Sequence, residues 1–210
     1  MADMVARRRA AALVLMCGVL AAPQGVSASY DAIVRDVYQR QSVYPPTATG
    51  MTICYGFGCR RRYEIDFEGA DRKALEAILA AGKASPEAER AAVAKAVAWF
   101  DRRVGPVIGT SRRVVRADFR HLDDAHNFDC HDTSTNVTSI LLLLAKWNLL
   151  KHHTVGETRF RGNILVGQTP HNTAVLIATG TGHAWSIDMW TTTYGAPAEV
   201  MPLERWLKEN

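Results

Sequence analysis

The amino-acid sequence predicts an α+β protein: a central helix packed on an antiparallel sheet, preceded by helices and a disulfide-stapled hairpin. Three observations carry this expectation. Residues 137–147 form a helical run that is apolar almost all round between Ile140 and Ala145, so the helix needs cover on several sides. After His153 the pattern changes from helical to alternating, as half-buried strands require. Before the central run, two short β-type segments enclose Cys54 and Cys59.

Residues 1–28 read as an export signal. Arg7, Arg8 and Arg9 precede an apolar stretch over 10–22, and Ser27-Ala28 ends a small-residue cleavage region. The stretch is shorter than the ~20 residues that span a bilayer. Cys17 stands within it beside Met16, a poor match to a lipoprotein signal. The expected mature chain, 29–210, suits one domain, with a helical and hairpin part over 29–110 and a core over 111–210. Removing three arginines and one aspartate with the signal lowers the formal charge from +4 to +2. The basic balance is thus no case for a nucleic-acid partner. The chain is expected to be exported, periplasmic, and without a membrane span after cleavage.

Residues 30–41 predict a short helix with Ile33, Val34, Val37 and Tyr38 on one side, closed by Pro45-Pro46. Strands are expected over 51–55 and 61–67, around Gly56-Phe57-Gly58, with Tyr63, Ile65 and Phe67 alternating. Cysteines this close in an oxidising compartment are expected to bridge. Four residues between them, where a redox pair has two, make the bridge structural. A helix is predicted over 71–81, ending at Gly82. The next is capped by Ser85, with Pro86 at its first position and Glu87 and Glu89 at its positive end. Val93, Val97, Phe100 and Val104 share one face, and Gly105-Pro106 is expected to end it.

Residues 105–129 carry little periodicity. Arg112, Arg113, Arg116 and Arg120 read as a solvated basic rim. His121, Asp123, Asp124, His126 and Asp129 follow, and His121, Asp123, His126 and Asp129 offer a metal reading with calcium or zinc. No pair has the helical spacing of a zinc protease, and the favoured reading assigns neither metal nor cofactor. The central helix is expected over 129–150, strands over 157–161, 163–167, 171–178 and 183–190, and a last short helix with Leu203, Trp206 and Leu207.

Chemistry concentrates at Asn127-Phe128-Asp129-Cys130-His131-Asp132, where capping residues meet the central helix. Cys130 is the odd cysteine of the mature chain. Unpaired N–H groups and the helix dipole at its position favour a thiolate. A cysteine nucleophile needs a base, and the base an orienting group. Strands on either side of Thr179-Gly180-Thr181-Gly182 supply His171 and Asp188. With paired numbers summing to 361 or 359 the two share a face; a one-residue slip separates them. Trp190 then shields the pair. Asn127 and His126 are candidate oxyanion donors beside the Cys130 N–H, and His126 and His131 are rival bases.

The segment from 127 to 194 resembles the papain-like and transglutaminase-like cysteine-enzyme superfamily, especially bacterial transglutaminase-like cysteine peptidases. The resemblance rests on Cys130 opening the central helix with Asp132 two residues later, and on Pro170-His171-Asn172-Thr173-Ala174-Val175 at a strand start. Asp188-Met189-Trp190 is similar to the Asn-Ser-Trp element of papain-like proteases. Phe128-Asp129 replaces a common glycine, and Asp124 stands where a glutamine would serve the oxyanion. The resemblance implies a Cys130–His171–Asp188 triad acting on an amide bond of a protein, peptide or cell-wall peptide, by hydrolysis or acyl transfer. A non-catalytic envelope module and a metal-binding protein are the alternatives.

Overall fold

The computed structural model describes residues 30–209. The signal expected over 1–28, with Cys17, lies outside them. The helix expected over residues 30–41 forms, and its middle, α1 (Val34–Gln39), is wound as a π-helix. Its wide turn lets the consecutive residues Val37 and Tyr38 both reach the core. Strands β1 (Gly50–Tyr55) and β2 (Arg61–Asp66) pair antiparallel, and Cys54 and Cys59 are bridged. Ile65 and Phe67 are buried as their alternation requires, whereas Tyr63, two residues earlier in β2, is exposed.

Helix α2 (Gly69–Ala80) continues as a 3-10 turn over Ala81–Ala84, and α3 spans Pro86–Ile108. Ser85 caps α3, its Oγ accepting from the Ala88 N–H at 3.1 Å. Val93, Val97, Phe100 and Val104 are all fully buried. The helix does not stop at Gly105-Pro106; Gly109, at φ 82°, ends it. Proline lacks the N–H that would reach the Arg102 carbonyl, and Tyr194 Oη donates to that oxygen instead, at 3.3 Å. A Cβ at residue 105 would stand 2.4 Å from the Tyr194 ring, so glycine there admits the substitute donor. Arg113, expected on a solvated rim, is buried against Asp101 at 2.9 Å. It also donates to the Thr192 carbonyl, tying the end of α3 to the segment after residue 190.

Helix α4 (Cys130–Lys146) is the centre of the core, with Val137, Ile140, Leu141, Leu143 and Leu144 fully buried. It ends four residues earlier than expected. Asn148 adopts φ 58°, and the bonds Asn148 N–H to Ala145 O and Leu149 N–H to Leu144 O close a Schellman-type cap. Strands β3 (His153–Arg161), β4 (His171–Ala178), β5 (Ala184–Asp188) and β6 (Glu199–Pro202) form an antiparallel sheet in that order, followed by α5 (Leu203–Trp206). β3 absorbs the strand expected at 157–161. The strand expected at 163–167 does not form. β3 already pairs with β4 up to Arg161 opposite His171, so the residues between them have no partner strand and fold as a 3-10 turn, Ile164–Val166. β6 was not anticipated. Ala174 and Leu176 of β4 face α4, while Val175 packs with Met201 and Trp206 on the other side. Among the described residues no helix is long and apolar enough to cross a membrane.

Candidate active site

The start of α4 is fixed by two carboxylates. Asp129 Oδ1 accepts from the Asp132 N–H at 2.7 Å, and Asp132 Oδ2 accepts from the Asp129 N–H at 3.3 Å, a reciprocal cap. The tip of the β1–β2 hairpin docks on the same groups. Phe57 and Cys59 donate their N–H groups to Asp132 at 2.8 and 2.6 Å, and Gly58 donates to Asp129 at 2.8 Å. Residues 56 to 59 all have positive φ, which turns successive N–H groups inward to form a nest for the carboxylates. Deeper along α4, the Asn136 amide exchanges two hydrogen bonds of 2.8 Å with the Cys54 backbone. Burial, then the Asp129 charge, raises the Asp132 carboxyl to about 7 against the pull of these donors.

Cys130 stands at the first position of this anchored helix, buried, with the Asn172 Nδ2 at 3.7 Å from its Sγ and the Pro170 carbonyl at 4.0 Å. The sulfur therefore lies beside the residues that flank His171 on both sides. Its pKa moves opposite to the helix-dipole expectation. Burial, then the Asp129 carboxylate, pushes the thiol up to about 11, so it is protonated at neutral pH.

β4 and β5 pair with Ala174 opposite Ile187 and Ile177 opposite Ala184, the register whose partner numbers sum to 361. His171 and Asp188 consequently share a face, and Nε2 lies 2.5 Å from Asp188 Oδ2. Asp188 also accepts from the Trp190 N–H at 3.0 Å and from the Trp206 indole at 3.2 Å. The two indoles enclose the imidazole, with ring centroids 4.4 Å away for Trp190 and 5.3 Å for Trp206. With a carboxylate on Nε2, that nitrogen carries the proton and Nδ1 holds a lone pair. His171 Nδ1 is buried and has no hydrogen-bond partner.

Alternation along β4 sends Asn172 toward α4 and His171 toward Trp206, so the sulfur touches the amide and is not hydrogen-bonded to the imidazole. Cys130 lines a cavity of about 480 Å³, and His171 a neighbouring one of about 240 Å³; Asp118, Thr169 and Trp190 wall both. No family model, curated protein or solved structure matches this chain.

The other candidates have different places. Asn127 spends both ends of its buried amide in its own loop, accepting from the Val114 N–H at 2.6 Å and donating to Asp124 at 2.8 Å. His126 is exposed and bonded to Asp124 at 3.1 Å. Neither makes a hydrogen bond to Cys130. His131 faces the Asn172 amide at 3.2 Å. The metal reading finds no cluster: His121 pairs with Asp118, Asp129 caps α4, and among the described residues no three His, Cys, Asp or Glu side chains gather around one point. Two contributors were missed. Asn172 was passed over because it neighbours His171 and alternation places it on the opposite face. Trp206 read only as packing in the last helix, because nothing local links it to Asp188.

Proposed function

We propose that the protein is an exported cysteine hydrolase or acyltransferase with a papain-like or transglutaminase-like core, acting on an amide bond of a protein or peptide. The observation that carries this reading is the buried His171, one nitrogen committed to Asp188 and the other bare, one residue away from both polar contacts of a buried, unpaired thiol. The Cys54–Cys59 bridge is consistent with an oxidising compartment.

The raised thiol pKa makes His171 a general base rather than half of a standing ion pair. A side-chain rotation that carries Sγ from the Asn172 amide to Nδ1 is the first step; the thiol then passes its proton to Nδ1 and attacks the carbonyl carbon with its electron pair. The oxyanion takes up the Asn172 Nδ2 and the Cys130 N–H, which lies outside the helix's own bonds. Asp188 stabilises the imidazolium, which then protonates the departing amine as the C–N bond breaks. Water or an amine resolves the acyl-enzyme, with Nδ1 again taking the proton.

Iodoacetamide alkylation of Cys130 at pH 7.5, located by peptide mapping, tests the base. His171→Ala is expected to slow it by about 10²-fold or more. Equal rates in the two proteins would overturn the enzymatic reading. The missing Sγ–Nδ1 bond favours, as a second reading, a non-catalytic envelope module, which predicts that equality.

A further inference from the structure

Charged groups in the wall of the Cys130 cavity already have partners. Arg60 donates to the carbonyls of Gly56 and Leu122. Asp118 is paired with Arg120 at 2.8 Å, which holds its carboxyl at about 2. Asp129 is spent on the Asp132 and Gly58 N–H groups. Beside the Thr169 hydroxyl, what remains to meet a ligand is mostly apolar: Phe57, Phe119, Leu122, Ile164 and the Trp190 ring. Several of these are exposed to a degree unusual for their type, Phe119 at 79% and Ile164 at 76%, and Leu165 and Val166 extend the apolar rim at 89% and 69%.

A second cavity of about 310 Å³, lined by Asp36, Arg40, Gln41, His131 and Asn172, is polar, and Cys130 does not line it. A volume of about 480 Å³ lies in the range of ligand pockets and accommodates a large side chain with room for flanking backbone.

We infer that the substrate is a polypeptide with a large apolar side chain, of the leucine or phenylalanine type, next to the bond attacked by Cys130. The inference rests on the cysteine-enzyme reading above. The exposed rim at Leu165 and Val166 continues the apolar surface beyond one side chain, which favours a chain over a small amide. A charged side chain in the same place would lose part of its hydration against these apolar walls.

Maleimides that differ only in the nitrogen substituent test this without turnover. Labelling of Cys130 by N-benzylmaleimide and by a carboxyalkyl maleimide is compared, each rate divided by that for free cysteine. The benzyl reagent is expected to be favoured by about tenfold or more. N-acetylphenylalanine amide, and not its aspartate counterpart, is expected to protect the thiol. Phe119→Ser and Ile164→Ser, both at exposed positions, are expected to bring the two normalised rates together. Equal normalised rates, or a preference that survives both variants, would overturn the inference. Failure of the enzymatic reading is a separate result, since it shows in the iodoacetamide rates of wild type and His171→Ala.

Discussion

Among the described residues two histidine–carboxylate pairs are buried, and they are finished differently. In the first, His153 Nδ1 meets Glu89 at 2.9 Å and Nε2 meets Arg90 at 3.3 Å. Glu89 also accepts from the Lys151 and His152 N–H groups, at 2.5 and 3.0 Å, and the Arg90 guanidinium lies 3.6 Å over the Trp185 ring. Both ring nitrogens of His153 are taken in that network, which clamps the start of β3 to α3. In the second, His171 keeps Nδ1 empty between two indoles. An unpaired buried acceptor costs stability, on the order of 1–3 kcal/mol. The contrast shows that the histidine–carboxylate bond is common to both, and that the unfilled nitrogen distinguishes a candidate reactive pair from a clamp.

Removing the clamp's carboxylate carries the largest expected effect on stability. Glu89→Ala leaves the buried His153 and two N–H groups without their acceptor, an expected loss of about 3–5 kcal/mol, read as a fall in Tm of roughly 6–20 °C. Below that Tm its iodoacetamide labelling of Cys130 should stay near wild type. A Glu89→Ala protein as unreactive as His171→Ala would erase the distinction between the two pairs.

Asp132 stands between clamp and site, and its expected effect is intermediate. Asp132→Asn turns an N–H toward one of the hairpin donors, for an expected cost of about 1–3 kcal/mol in urea unfolding. Because the native carboxyl is raised above its unfolded value, its stabilising share is fully present below about pH 4. It is lost as pH rises through about 7. Wild type is expected to lose on the order of 2 kcal/mol between pH 5 and 8 that the variant does not lose. A parallel pH dependence in both proteins would remove Asp132 from this role.

The smallest change is expected at the disulfide. Cys54→Ser with Cys59→Ser opens a short loop, worth about 2 kcal/mol. Since Phe57 and Gly58 wall the thiol's cavity, iodoacetamide labelling of Cys130 should quicken several-fold as the tip loosens. An unchanged labelling rate would show that the hairpin anchors α4 without shielding its first residue.

Local pattern was enough for a good part of this. The buried helix of residues 137–144, the Ser85 cap, the face of Val93, Val97, Phe100 and Val104, and the Cys54–Cys59 bridge follow from periodicity, capping chemistry and spacing, which act over a few residues. So does the shared face of His171 and Asp188, because strand alternation and a short turn permit few registers. Contacts between distant residues lay beyond it. The Pro106 break was healed by Tyr194, Arg113 was drawn inside by Asp101, and residues 163–167 lost their strand because β4 was already paired. The thiol's protonation followed the same rule. Cys130 sits where a helix dipole favours a thiolate, but burial and the Asp129 charge, set by how the hairpin and sheet close around it, outweigh the dipole. Short-range stereochemistry is written in neighbouring residues, whereas desolvation and long-range pairing depend on what the rest of the chain packs against them.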